Sequence, residues 1–123
     1  MIATGPAERT VYPLPPMRTD VSDLTPHEAA TRLRDEEDWQ VVDVRTPEER
    51  PDGVIEGDVL IPLDELSARA GEIDPARPAL IYCRSGSRSA MAVAALRTAG
   101  YDAHNLAGGM LAWLDAGLPV AGD

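Results

Sequence analysis

Short segments with the character of β-strands alternate along this 123-residue chain with segments that have the character of helices. Segment 39–44, WQVVDV, is rich in β-branched residues, and segment 79–82, ALIY, is apolar throughout. Apolar runs of this length, placed between helices, are typical of strands that are buried on both faces. The alternation therefore predicts an α/β domain with a central, mainly parallel sheet and helices on both of its faces.

Local signals predict the remaining elements. Segment 25–28, TPHE, combines an N-cap threonine, a proline at the first helical position and a glutamate that completes a capping box, so a helix should run to about residue 35. The other predicted elements are an extended stretch near 19–24, a helical turn that begins at 46–49, strands at 59–61 and 101–106, and helices over 63–70, 88–99 (closed by Gly100) and 110–116.

The first residues of the chain differ from the rest. Residues 1–18 contain four prolines and little apolar periodicity, so we predict an extended, proline-containing N-terminal segment there. Residues 19–123 are predicted to form one domain, because the chain is long enough for a single core and too short for two.

Composition excludes several classes of function. The net charge of −10 argues against binding to nucleic acid or to an anionic membrane, although it leaves a small anionic substrate possible. All eleven basic residues are arginine, which excludes a lysine nucleophile. The chain has no signal-like start and no apolar run that could span a bilayer, and its single cysteine excludes an internal disulfide, so we expect a reducing cytoplasm.

That cysteine, Cys83, follows directly after the apolar run 79–82 and begins a loop of small and basic residues, CRSGSRS. In open α/β sheets, ligands bind at this end of the strands. Converging loop amides and the start of the next helix favour an anion there and lower the pKa of a thiol. A lone cysteine is usually an inert core residue, but two arginines and three serines beside it favour an anion site with a nucleophilic thiolate.

Three segments resemble motifs of the single-domain rhodanese-like sulfurtransferase family. They are the loop 83–89, the strand segment 42–49 (VDVRTPEE) and the closing segment 105–113 (NLAGGMLAW), in the family's order. The resemblance implies the rhodanese α/β fold, no bound cofactor and no metal. It also implies that Cys83 takes sulfane sulfur from a donor such as thiosulfate, forms a persulfide and passes the sulfur to cyanide or to a thiol.

The residues around Cys83 receive expected roles from this resemblance. The loop residues Arg84, Ser85, Gly86, Ser87, Arg88 and Ser89 are expected to bind the donor and stabilise the persulfide. Arg88 has two open interpretations, a ligand for the donor's anionic end or a partner in a structural ion pair. Asp43 and Arg45 are expected to support the site, and a buried charge pair at the strand end is the favoured interpretation, because a carboxylate near the thiol would oppose its ionisation.

Other candidate residues receive structural interpretations. Glu48 and Glu49 are expected at a solvated helix start, and Trp113 is expected in the core. His27 and His104 lack partners at metal-ligand spacing. Segment 50–58, RPDGVIEGD, departs from the family, which has an aromatic residue near Arg50, a histidine at Val54, and a proline and a small residue at Glu56 and Asp58; the departure leaves the shape of this loop open.

Two other functions compete with sulfur transfer. Cysteine phosphatases use a similar loop that is one residue longer, whereas only the four residues Arg84 to Ser87 separate Cys83 from Arg88. The second alternative is a persulfide carrier or protein-binding module with little turnover. The expected partners are a small anionic sulfur donor and a thiol or protein that accepts the sulfur.

Overall fold

The computed structural model describes residues 23–122, which form five strands and four α-helices. In chain order the elements are β1 (Asp23–Leu24), α1 (Pro26–Asp35), β2 (Gln40–Asp43), β3 (Val59–Leu60), α2 (Leu66–Arg69), β4 (Ala79–Tyr82), α3 (Ser87–Thr98), β5 (Ala103–Leu106) and α4 (Gly109–Asp115). The strands lie in the order β1-β5-β4-β2-β3, and all pairings between them are parallel. The predicted α/β class is confirmed.

The apolar side chains divide into two cores, one on each face of the sheet. Because side chains alternate along a strand, Ile81 and the following Cys83 point to one face, while Leu80 and Tyr82 point to the other. The first core contains residues from α2 and α3, and the second contains residues from α1 and α4. Strand β4 is central and buried along its length, as its apolar sequence predicts.

Several predicted boundaries move by one or two residues. The capping box of α1 forms as predicted, with reciprocal hydrogen bonds between Thr25 and Glu28. The helix predicted over 63–70 is composite, because a 3₁₀ turn precedes α2 and another follows it, to residue 72. The segment Pro47–Asp52 is also a 3₁₀ helix, and Pro51 inside it lacks the amide that an α-helix would need.

Part of the predicted organisation lies outside the described residues. The segment 1–18 and most of the extended stretch near 19–24 fall there; Asp23 and Leu24 form the short strand β1. Within residues 23–122, no helix is long and apolar enough to cross a membrane.

Candidate active site

Cys83 lies at the carboxyl end of the central strand β4, and the chain turns from it into α3 within four residues. The turn depends on Gly86, whose φ of +100° is strained for residues with a side chain. A Cβ atom at this position would also lie 3.0 Å from the amide nitrogen of Gly108. The loop can therefore close tightly over the cysteine sulfur only with glycine here.

Several hydrogen-bond donors point at the Cys83 sulfur. The amide nitrogens of Gly86 and Ser89 lie 3.1 Å and 3.4 Å from Sγ, and the Ser89 hydroxyl lies 3.3 Å from it. Burial raises the pKa of the Cys83 thiol, but the hydrogen bonds from Ser89, Gly86 and Ser85 outweigh burial and leave the pKa below its ordinary value. The site is therefore built to hold a negative charge on sulfur.

The beginning of α4 holds this loop from the other side. The amide of Met110 donates to the Cys83 carbonyl at 2.9 Å, and the amide of Leu111 donates to the Arg84 carbonyl at 3.0 Å. A peptide carbonyl and the next amide point in opposite directions, so drawing the Arg84 carbonyl toward α4 turns the Ser85 amide toward the sulfur. Gly109 permits this approach, since a Cβ there would lie 2.5 Å from the Arg84 oxygen.

Asn105 completes the surroundings of the thiol. Its Oδ1 lies 2.6 Å from the Ser89 hydroxyl, and its Nδ2 donates to the Gly86 carbonyl at 3.3 Å. Asn105 pairs with Ile81 in the sheet and is buried. Asn105 was not predicted as a site residue from the sequence, although it opens the closing motif. A polar residue inside a buried strand next to the cysteine strand is the signal that could have identified it.

The two loop arginines lie in different environments. Arg88 forms a bidentate ion pair with Glu49, with nitrogen–oxygen distances of 2.8 Å and 2.7 Å. Arg84 is exposed, and its side chain has no hydrogen bond or ion pair with any residue of the described range 23–122. Of the two interpretations open for Arg88, the ion pair is the one that the structure contains.

Glu49 was expected at a solvated helix start; it lies at the start of the helix Pro47–Asp52 as predicted, but its side chain is half-buried and paired rather than solvated. It caps the turn through Thr46 and holds Arg88, whereas Glu48 is exposed as expected. The hydrogen bonds from Arg88 lower the pKa of Glu49 from 4.5 to about 2. The pattern TPEE predicts a capping residue but gives no sign of a cation from α3, because that contact joins residues 39 positions apart.

A buried polar network lies beside the cysteine loop, at the ends of β2 and β4. Asp43 and Arg45 form an ion pair with 0% and 1% of their side chains exposed. Arg50 bridges the carboxylates of Asp43 and Asp58, and the Tyr82 hydroxyl donates to Asp58 at 2.6 Å. Burial raises the pKa of Tyr82, so this phenol remains a donor. Arg50 and Asp58, two residues that differ from those expected in the family, thus contact each other.

The remaining candidates lie away from the sulfur. Trp113 is buried, as predicted, and its indole nitrogen donates to the Pro119 carbonyl. His104 packs against Trp39 on the sheet face opposite Cys83 and lies 2.7 Å from an oxygen of Asp102, while His27 is exposed. Within residues 23–122, no group of three or more histidine, cysteine, aspartate or glutamate residues could hold a metal ion.

Comparison with known proteins bears directly on this arrangement. The family model described as "Rhodanese-like domain" matches residues 25–116, which include all the elements around Cys83. The chain belongs to the rhodanese-like domain family. The rhodanese-like domain is 41% identical over 101 residues to a protein named "Sulfurtransferase" from Allochromatium vinosum, and the match covers 81% of this chain and 94% of that protein.

Two further similarities extend the comparison. A probable adenylyltransferase/sulfurtransferase of Mycobacterium tuberculosis is 38% identical over 95 residues, covering 75% of this chain but only 24% of that protein. The rhodanese-like domain thus spans about a quarter of that larger relative. The crystal structure of a rhodanese-like domain protein from Staphylococcus aureus has a TM-score of 0.72 and 37% identity, and the match covers 81% of this chain and 98% of that one.

Proposed function

We propose that this rhodanese-like domain is a sulfurtransferase that carries sulfane sulfur on Cys83 as a persulfide. The observation that supports this most directly is the convergence of the Gly86 amide, the Ser89 amide and the Ser89 hydroxyl on one sulfur atom. Such donors stabilise a thiolate before reaction and stabilise the thiolate again when it leaves. The names of the relatives from Allochromatium vinosum and Mycobacterium tuberculosis agree with sulfur transfer.

The first half-reaction loads the enzyme. The Cys83 thiolate attacks the outer sulfur of thiosulfate, so that a new sulfur–sulfur bond forms at Sγ. The original sulfur–sulfur bond of thiosulfate breaks, and its electron pair leaves on sulfite. The loop amides that held the thiolate then stabilise the persulfide against water.

The second half-reaction returns the free thiolate. A nucleophile such as cyanide, or a thiolate in the cell, attacks the outer sulfur of the persulfide. The bond to Sγ breaks with its electron pair on Cys83, and thiocyanate or a new persulfide departs. The donors around Sγ favour this step because they lower the energy of the leaving thiolate.

Arg84 is the proposed ligand for the anionic end of the donor. It stands on the loop rim with no hydrogen bond or ion pair within the described range 23–122, whereas the charge of Arg88 is balanced by Glu49. A guanidinium presents forked donors that suit an oxyanion. The assignment therefore separates a binding arginine from a structural one.

The acceptor is proposed to be a small thiol or a protein in a reducing cytoplasm, where a lone cysteine is not lost to disulfides. The Mycobacterium tuberculosis relative, in which the similar region is a quarter of a larger protein, favours considering a protein acceptor. A persulfide carrier with slow turnover on small acceptors is therefore the second candidate. We do not propose nucleic acid or membranes as partners, because the chain has a net charge of −10.

Turnover with thiosulfate and cyanide tests the enzyme proposal. We expect thiocyanate from the wild type and none from Cys83→Ser, with Ser67→Ala, which removes an exposed hydroxyl on α2, as the control. Persulfide formation without thiocyanate release would favour the carrier. Cys83-dependent hydrolysis of an aryl phosphate would instead favour the phosphatase, even though the loop between Cys83 and Arg88 is one residue shorter than in phosphatases.

A further inference from the structure

The Ser89 hydroxyl has two acceptors and a single proton. It lies 2.6 Å from Asn105 Oδ1 and 3.3 Å from the Cys83 sulfur. A serine hydroxyl can donate only one hydrogen bond at a time. Both acceptors are buried, so water does not supply a hydrogen bond to the acceptor that the hydroxyl leaves without one.

The orientation of the Asn105 amide is set by its second contact. Its Nδ2 group lies 3.3 Å from the Gly86 carbonyl, which can only accept a hydrogen bond. Turning the amide over would place Oδ1 against that carbonyl oxygen and remove the acceptor from Ser89. Asn105 therefore presents its oxygen to the hydroxyl in every protonation state of the thiol.

We propose that Asn105 is a positioning residue that competes with the Cys83 sulfur for the proton of the Ser89 hydroxyl. When Cys83 is a neutral thiol, the hydroxyl donates to Asn105 and its lone pair faces the sulfur. When the thiol ionises, the hydroxyl rotates and donates to the thiolate, and the bond to Asn105 is given up.

The same rotation has a consequence for sulfur transfer, and this part rests on the proposed function. A persulfide carries its charge on the outer sulfur, so Sγ becomes a weaker acceptor and the hydroxyl returns to Asn105. The hydroxyl then turns back to Sγ as the thiolate leaves. Asn105 thereby provides an acceptor for this proton in the states in which the Cys83 sulfur is uncharged.

The ionisation of the thiol measures this competition without any sulfur donor. We would follow the ultraviolet absorbance of the thiolate against pH, with the spectrum of Cys83→Ser subtracted. Because no donor or acceptor is present, the result is independent of whether Cys83 transfers sulfur. The variants leave in place the charged groups around the thiol, namely Arg84 on its own loop, Arg88 with its partner Glu49, and the buried pair Asp43 and Arg45.

Two substitutions of Asn105 should move the thiol pKa in opposite directions. Asn105→Leu removes the competing acceptor, so the pKa of Cys83 should fall by roughly half a unit to one unit. Asn105→Asp offers a stronger acceptor and adds a like charge near the thiolate, so the pKa should rise by about one unit or more. Asn105→Asp adds a charge that raises the pKa by itself, so the fall expected in Asn105→Leu is the discriminating result. Both variants lose the bond to Gly86, and a purely structural role would loosen the loop amides and raise the pKa in Asn105→Leu as well.

Ser89→Ala tests whether Asn105 acts on the thiol through the Ser89 hydroxyl. It should raise the thiol pKa, and in its background Asn105→Leu should produce no downward shift. Shifts of both Asn105 variants in one direction, no shift in either, or a downward shift that persists without the Ser89 hydroxyl would overturn the proposal. Circular dichroism checks that each variant folds. If Asn105→Leu does not fold, Asn105→Ala replaces it, and the pKa of Cys83 should again fall.

Discussion

At the scale of single residues, the chemistry of the site is decided by which charges are already paired. Arg84 and Arg88 are both in the loop 83–89, yet Glu49 balances only Arg88. The sequence is enough to predict which loop residues surround Cys83, because local spacing brings them together. It gives no sign of the Glu49 contact or of Asn105, since both reach the loop from other elements.

The paired state of Arg88 leads to a kinetic prediction. Arg84→Gln should raise the KM for thiosulfate roughly tenfold with a smaller change in kcat, because it removes a charged hydrogen bond to the donor. Arg34→Gln, an equal charge change at an exposed position of α1, should leave the KM unchanged. A larger rise in KM from Arg88→Gln than from Arg84→Gln would contradict the assignment.

The Glu49 pair leads to a prediction about pH. Because folding lowers the pKa of Glu49 from 4.5 to about 2, the pair's contribution is fully present above pH 4.5 and is lost as the pH falls toward about 2. The Arg88 side chain is about one third exposed, so we expect a contribution of about 1 kcal/mol.

Urea unfolding of the wild type and of Glu49→Gln measures this contribution. The measurements run from about pH 6 to about pH 3, which is roughly one to two pH units on either side of the ordinary pKa of a glutamate. The free energies of unfolding should converge as the pH falls. Glu48→Gln, at the exposed neighbouring position, serves as the control. A difference between wild type and Glu49→Gln that stays constant with pH would show that the ion pair is not its source.

At the scale of elements, the active loop is held between two helix beginnings. Helix α3 supplies amides to the sulfur, while the first amides of α4 bind the loop carbonyls behind it. The alternation of strands and helices predicts both helices, and the glycines at 108 and 109 predict a tight start of α4. The need for glycine at 109 comes from a neighbour 25 positions earlier, Arg84, and is visible only in the fold.

This packing predicts that substitution by alanine lowers the free energy of unfolding to different extents at two glycines with similar φ angles. Gly109→Ala places a Cβ 2.5 Å from the Arg84 oxygen at a φ of +62°, so the free energy of unfolding should fall by about 3 kcal/mol or more. At Gly117, where φ is +74° and no atom lies within 4 Å of a Cβ, alanine should cost about 1 kcal/mol.

Chemical denaturation of both variants checks the difference, and the pH dependence of the thiolate absorbance reports on the loop. Gly109→Ala should also raise the pKa of Cys83, since the Ser85 amide is no longer directed at the sulfur. Equal destabilisation by the two substitutions would contradict the close approach of α4 to the loop.

At the scale of the whole molecule, two of the residues that depart from the expected family pattern, Arg50 and Asp58, balance each other's charge. Arg50 and Asp58 lie on either side of the turn before β3, and they meet next to Asp43 and Tyr82, which end β2 and β4. Each residue alone is out of place as a buried charge, and together they form one network. A single sequence does not show this, because no pattern of spacing links a cation at 50 to a carboxylate at 58.

A double-mutant cycle tests this compensation. Arg50→Met leaves the nearly buried carboxylate of Asp58, which is 3% exposed, without its cation, and should cost about 3 kcal/mol. Adding Asp58→Asn removes that charge, so the double variant should be more stable than additivity predicts, by about 2 kcal/mol. The exposed pair of Arg69 and Glu72 should give a coupling below about 0.5 kcal/mol. Additive effects of the two buried substitutions would contradict the network.

The central claim is that Cys83 accepts a single sulfur atom. Intact-mass and peptide mass spectrometry after incubation with thiosulfate, under conditions without reductant, measures this directly. We predict one added sulfur on Cys83, its removal by cyanide, and no adduct in Cys83→Ser. An unmodified Cys83 after exposure to thiosulfate and to organic persulfides would contradict the account.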